Sequence, residues 1–298
     1  MCAFRNGSQS NIRASSSTHR KLALVFGNRL YQHNASLRNS ENDANDITRS
    51  LESIGFQVTK GLNLACEEMD SYVTNFVRNI QSSDVILFYF SGHGTQWEDQ
   101  NYLVPSDDNN LNSSNIKRHA LNAQDVLDRI TRRNPYVSIF ILDCCRNYYL
   151  RNPELLRGND SNTKGLKPMY AAAGSLIAFA CAPGATASDG SDRNGLFTKH
   201  LLQNITKPNE QIQDLLIDVT KGVATESYSK QIPWYHSSLM DRNIMLSSNG
   251  NDNSGFNSES GGWHQEFHGQ SHDGRHGSLI KKAEKALHMD LDGDGRIG

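Results

Sequence analysis

The stretch DVILFYFSGHGTQ, Asp84 to Gln96, decides the architecture. The unbroken apolar run from Val85 to Phe90 shows neither the alternation of a half-exposed strand nor the stripe of an amphipathic helix. A short run of this kind, stopped by glycine, fits a strand buried on both faces, and such strands belong to parallel sheets covered by helices on either side. A second run of the same design, YVSIFILDCCRN, spans Tyr136 to Asn147. Each ends on side chains capable of chemistry: His93 between Gly92 and Gly94 in the first, and Cys144 and Cys145 in the second.

Outward from these two strands the chain alternates short apolar runs with longer amphipathic ones, the pattern of an α/β domain. KLALVFG is predicted as a strand and ENDANDITRSLESIG as a helix, with Ala44, Ile47, Leu51 and Ile54 on one face and Gly55 at its end. FQVTK is the next strand, and EEMDSYVTNFVRNI a helix with Met69, Val73, Phe76, Val77 and Ile80 on its apolar face. A polar loop is expected from Thr95 to His119, followed by the helix AQDVLDRITRR. Arg, Asn, Gly and Pro dominate from Tyr149 to Lys167, as in an exposed connector, before SLIAFACA resumes the strand pattern. Two helices follow, GLFTKHLLQNI and EQIQDLLIDVTKGVATES, and QIPWYHSSLMDRNIML supplies the last strand, with its proline at the start.

Composition excludes several classes. With 37% apolar residues in 298 the chain can bury one sizeable core, and a net charge of −2 gives no basic field for nucleic acid or an anionic membrane. No apolar run approaches the roughly 20 residues that cross a bilayer. Five cysteines without CxxC spacing suggest neither a disulfide framework nor a zinc finger, so the expected compartment is the cytoplasm.

A thiolate and an imidazole at the carboxyl ends of neighbouring strands suit acyl transfer: the thiolate attacks a carbonyl, and the imidazole moves the protons. Gly94 brings its N–H close to an oxyanion, and the N–H of Cys145 supplies a second donor. The pair SGHG and LDCCRN, with His93 and Cys145 separated by 52 positions, resembles the caspase, paracaspase and metacaspase superfamily of cysteine peptidases. The resemblance covers roughly residues 20 to 246, including AFACAPGATASDG and RNGLFTKHLL. It implies an α/β, caspase-like three-layer sandwich with a mainly parallel central sheet flanked by helices. It also implies Cys145 as nucleophile, with Cys144 where caspases carry alanine; vicinal cysteines pack more often than they react, so Cys144 is expected to face the core. Within 20–246 it divides the peptidase domain into a large-subunit-like part (20–148), a connector (149–173) and a small-subunit-like part (174–246). The family's metacaspase branch carries His-Ser-Gly after the nucleophile, where this chain has Arg146, Asn147 and Tyr148, so the paracaspase-like label is closer.

The same resemblance places three carboxylates around the substrate side chain: Asp43, with Asp46 in its place under a short loop shift, Asp143 and Asp189. Three acids in one pocket repel one another until a cation enters, which points to protein or peptide substrates cut after arginine or lysine. Basic residues of the connector, Arg151, Arg157, Lys164 and Lys167, would suit such a pocket as sites of self-cleavage. The rival reading is a catalytically inactive caspase-like scaffold. The last strand offers an edge through which a second copy could pair, as caspases do.

Outside the domain, residues 1–19 are expected to form a disordered tail and 247–277 a Gly/Ser/Asn/His-rich linker. His264, His268, His272 and His276 recur every fourth residue there, but the intervening glycines oppose a stable helix that would stack them on a metal. Residues 278–298 read as a short helix and a truncated EF-hand-like loop, with Asp290, Asp292 and Asp294 at positions 1, 3 and 5 and no glutamate at position 12. That loop reads either as a weak calcium site or as a turn-forming acidic end. No cofactor is expected for catalysis.

Overall fold

The computed structural model describes residues 19–109, 111–145, 166–182 and 192–248. Along the chain these form β1 (Lys21–Gly27), α1 (Ser40–Ser53), β2 (Phe56–Leu62), α2 (Cys66–Arg78), β3 (Val85–Trp97), β4 (Gln100–Leu103), α3 (Ile116–His119), β5 (Leu121–Asn122), α4 (Ala123–Thr131) and β6 (Val137–Cys145). After the connector come β7 (Ser175–Phe179), α5 (Leu196–Asn204), α6 (Ile212–Glu226) and β8 (Trp234–Ser237). The main sheet runs β2-β1-β3-β6-β7-β8, with β2 through β7 parallel and β8 antiparallel at one edge. Pro233 directly precedes β8, where no ladder hydrogen bond is lost.

The strand faces sort by parity, as a pleated sheet requires. Val85, Leu87 and Tyr89 of β3, with Val137, Ile139 and Ile141 of β6, pack against Ala44, Ile47 and Leu51 of α1, Phe197 and Leu201 of α5, and Leu215 and Val219 of α6. Ile86, Phe88 and Phe90, with Phe140, Leu142 and Cys144, face Met69, Val73 and Phe76 of α2 and Val126, Leu127 and Ile130 of α4. Both faces of β3 are therefore dry, which is why its sequence is a continuous apolar run. Each large side chain buried this way contributes about 1.5–3 kcal/mol. This is the expected three-layer α/β arrangement.

Local signals place the helices. Asn122 Oδ1 accepts from the N–H groups of Gln124 (2.8 Å) and Asp125 (3.1 Å) at the start of α4. Glu68 reaches back to the Ala65 N–H at 2.9 Å at the start of α2. At Gly27 a side chain would meet the Ser40 carbonyl oxygen at 2.5 Å and Ala44 Cβ at 2.6 Å. The missing side chain lets the first turn of α1 close onto the end of β1, which carries Asp43 to the carboxyl edge of the sheet.

The structure departs from the expected polar loop between Thr95 and His119. β3 runs past His93 to Trp97 and turns through Glu98 (φ 45°) and Asp99 (φ 57°) into β4, a two-residue hairpin with both turn residues left-handed. β1 ends beside Ser91, and β4 takes over that flank of β3 from Gly94 onward. His93 and Gly94 thus lie within a continuous strand, not beyond its end. The end of the expected exposed connector departs as well: Leu166, Met169 and Ala171 are buried in the core, packed on the α2–α4 face of the sheet. Asn101 pairs with both the N–H (2.8 Å) and the C=O (2.7 Å) of Lys167, whose Nζ lies 3.3 Å from Asp99. Gln124 grips Tyr170 in the same two-point way, at 2.9 and 3.1 Å.

No helix among the described residues is long and apolar enough to cross a membrane.

Candidate active site

The parallel ladder of β3 and β6 ends on one register pair, His93 opposite Cys145. Residues far apart in sequence thus become neighbours across one strand spacing of about 4.8 Å, at the carboxyl edge where open α/β sheets do their chemistry.

His93, only 7% exposed, is held twice by the loop between β1 and α1. Its main-chain N–H donates to Tyr31 Oη at 2.7 Å, and the Tyr31 hydroxyl donates to the Asn28 carbonyl at 2.9 Å. The two rings are tilted by 45° with centroids 4.5 Å apart. His93 Nε2 lies 2.9 Å from the Ala35 carbonyl oxygen. A carbonyl only accepts, so Nε2 carries a hydrogen, and Nδ1 is the basic nitrogen of the neutral ring.

The Val104 N–H donates to the His93 carbonyl at 2.9 Å. Antiparallel ladders alternate, so the next pair, Gly94 with Leu103, is of the non-hydrogen-bonded kind. The Gly94 N–H is therefore turned away from β4, toward the β6 side. A side chain at Gly94 would meet Cys144 Sγ at 3.0 Å and Leu166 Cδ2 at 3.4 Å. We expect Gly94→Ala to destabilise the protein by about 1–3 kcal/mol through overpacking. Cys144→Ala should recover part of that loss, and a double-mutant cycle in urea would measure the coupling; additive effects would contradict the contact.

Cys144 is buried at 4% exposure, on the α2–α4 face of the sheet. Cys66 is half-buried, and burial, followed by Asp107, Asp70 and Glu67, pushes its thiol up to about 11, so it stays protonated at neutral pH.

Two of the three predicted pocket acids come together. Asp43, on α1 and 2% exposed, accepts from the Gly195 N–H (3.0 Å) and Asn194 Nδ2 (3.1 Å) at the start of α5, and from Ser91 Oγ (3.1 Å) on β3. Asp143, on β6, accepts from Thr198 Oγ1, which also contacts Tyr89 Oη. A β-carbon at Gly195 would lie 3.3 Å from Asp43 Oδ2 and 3.4 Å from Asp143 Oδ2, so both carboxylates border one small space. Burial first, then repulsion from Asp143, raises the Asp43 carboxyl to about 7; the donors from Asn194, Gly195 and Ser91 oppose the rise. Asp46, one turn further along α1, differs. Arg193 chelates it at 2.9 and 3.1 Å, Arg49 pairs with it as well, and it stays below the usual carboxylate range.

Asp189 lies outside the described residues, as do Asp290, Asp292, Asp294 and the histidines of the tail. Among the described residues no cluster of three His, Cys, Asp or Glu could hold a metal. Sequence reasoning did not find Tyr31, Ala35 or Thr198. The Ala35 contribution is a main-chain carbonyl, which leaves no mark on residue type.

The caspase domain family model matches residues 20–244. The chain belongs to the caspase-domain family. Among curated proteins, this caspase-domain chain is 26% identical over 230 residues to the human mucosa-associated lymphoid tissue lymphoma translocation protein 1, covering 76% of this chain and 26% of that protein. The Mus musculus homolog matches at 26% over 206 residues, covering 68% and 23%. The chain thus spans about a quarter of the length of these relatives. Among solved structures, the crystal structure of Caspase-1 from Spodoptera frugiperda superposes with a TM-score of 0.59 at 18% identity, over 78% of this chain and 92% of that one. The structure of pro-sf-caspase-1 gives 0.56 at 18%, over 84% and 98%. At that identity the likeness establishes the fold. Membership supports a caspase-like peptidase or scaffold, in the hydrolase class.

Proposed function

We propose that this caspase-domain protein is a cysteine endopeptidase that cuts after arginine or lysine. The observation that carries the reading is the meeting of Asp43 and Asp143 beside Gly195, on the same sheet edge as the His93–Cys145 register pair. In this mechanism His93 Nδ1 takes the Cys145 proton, and the sulfur adds to the scissile carbonyl. The oxyanion accepts from the N–H groups of Gly94 and Cys145. His93 then protonates the departing amine, and a water deprotonated by His93 hydrolyses the thioester. The Ala35 carbonyl on Nε2 supports the imidazolium through these steps.

The pocket selects by charge. A buried Asp43 and a half-buried Asp143 that repel each other gain most from a guanidinium, whose donors can pair with both. Asp189 is proposed as the third wall. The test is a set of fluorogenic peptides ending in Arg, Lys or Asp, assayed under reducing conditions. Arg and Lys peptides should turn over at least 100-fold faster than the Asp peptide. Preferential turnover of the Asp peptide would refute the pocket, and no turnover of any of them would favour the scaffold. Of the basic connector residues, only Lys167 lies among the described ones, and its bracketing by Asn101 and Asp99 makes it a poor site for self-cleavage.

A further inference from the structure

A buried carboxylate outside the proposed mechanism lies behind the loop that holds His93. Asp108, between β4 and α3, is 1% exposed. Its Oδ1 accepts from the His33 N–H at 2.8 Å, and its Oδ2 accepts from the Asn34 N–H at 3.1 Å and from Asn34 Nδ2. The contacts on either side run between the same two segments: the Gln32 N–H donates to the Ser106 carbonyl at 3.0 Å, and Asn109 Nδ2 donates to Gln32 Oε1 at 2.7 Å. The fastened residues, Gln32 to Asn34, lie between the two that touch His93, namely Tyr31 on its main chain and Ala35 on its ring.

We infer that Asp108 is a positioning residue for the His93 imidazole, acting through His33 and Asn34 to keep the Ala35 carbonyl on Nε2. The inference rests on the Cys–His reading above. Three N–H donors converge on Asp108, and the two carboxylate oxygens accept from all of them. An asparagine presents its own N–H₂ to at least one of those donors, leaving a buried group unmatched and loosening the loop. Once the Ala35 carbonyl drifts, the neutral ring can carry its hydrogen on Nδ1, the nitrogen that must be unprotonated to accept the thiol proton. The titratable group in contact with the ring is the Tyr31 phenol, whose pKa is raised chiefly by burial, and the residue opposite His93 across the strand pair is Cys145.

The test compares wild type, Asp108→Asn and Asn34→Ala in the full chain. It uses kcat and KM for an arginyl peptide across pH 5–9, and long-range proton–nitrogen spectra of the His93 ring. Asp108→Asn should lower kcat on the order of 10- to 100-fold with KM changed less than about twofold. The acid limb of the kcat profile should move to lower pH, because the imidazolium has lost an acceptor. The ring spectrum should change from one Nε2–H tautomer to a mixture. A kcat loss equal at every pH, with the Nε2–H tautomer retained, would mean a purely structural role and overturn the inference, as would unchanged kcat. If Asp108→Asn does not fold, Asn34→Ala, which removes only the Nδ2 contact, should give the same changes in smaller measure. If wild type shows no turnover, the Cys–His reading fails by itself, and the tautomer spectra still decide the role of Asp108.

Discussion

Cys145→Ala is expected to lower turnover of an arginyl peptide on the order of 10⁴-fold or more, His93→Ala by a similar factor, and the double variant by no more than either alone. Residues that act as one unit lose their function together, so the second substitution removes nothing that the first has left. The physical basis is the register at the end of the β3–β6 ladder, where His93 and Cys145 are opposite each other. An arginyl chloromethyl ketone should label wild type covalently and leave Cys145→Ala unlabelled. Labelling at Cys66 or Cys144 instead would overturn the assignment; the raised thiol of Cys66 and the burial of Cys144 argue against both. Independent effects of the two substitutions that multiply in the double variant would equally break the proposed unit.

Asp43→Asn should trade activity for stability. Burial and Asp143 raise the Asp43 carboxyl from 3.8 to about 7, so the folded chain holds that proton more tightly than the unfolded chain does. The resulting stabilisation is complete below about pH 4 and is lost as pH rises through about 7. Above that, the folded protein carries a buried charge facing another. Asparagine keeps an acceptor for the Gly195 N–H and can donate to Asp143, and it cannot ionise. Its advantage over wild type should grow between about pH 4 and 7 and then level off. At about 1.4 kcal/mol per pH unit of displaced titration it should reach a few kcal/mol by pH 8. Each kcal/mol shifts Tm by roughly 2–4 °C for a domain of this size. Calorimetry at pH 5 and 8 would show it, and a lower Tm than wild type at pH 8 would refute it. Activity should move the other way. A guanidinium needs the ionised pair, so wild-type kcat/KM for arginyl peptides should rise through about pH 7, and Asp43→Asn should lose about 100-fold or more above it. The unequal standing of Asp43 and Asp46, one turn apart on α1, gives a control. Asp46→Asn, which breaks the exposed pairs with Arg193 and Arg49, should cost about 1 kcal/mol or less and lack the pH signature.

Much of the layering was legible in the sequence, because burial on both sides of a strand leaves a continuous apolar run and burial on one side of a helix leaves a stripe. Val85–Phe90 and the Met69–Val73–Phe76 face each carry their own local cause. The β3–β4 hairpin was not legible. Its turn is Glu98–Asp99, without the glycine or asparagine that left-handed turn residues favour, and its second strand carries Gln100 and Asn101. Asn101 is tolerated in a buried strand because Lys167, from the far end of the connector, supplies both of its hydrogen-bonding partners. No window around residue 101 contains that information.

By itself the sequence determined the class of fold and the inventory of reactive groups: an imidazole between glycines, a thiol at the end of a buried strand, and aspartates in two of the segments that frame them. Residue type and local periodicity suffice for that, since both follow from whether a side chain is wet or dry. Only the tertiary structure decided which groups face one another. It set Asp43 rather than Asp46 against Asp143, placed the Ala35 carbonyl on His93, and fastened that loop through Asp108. These arrangements depend on strand register and on contacts across many tens of residues, and a main-chain carbonyl or a buried carboxylate acquires its role from what packs against it.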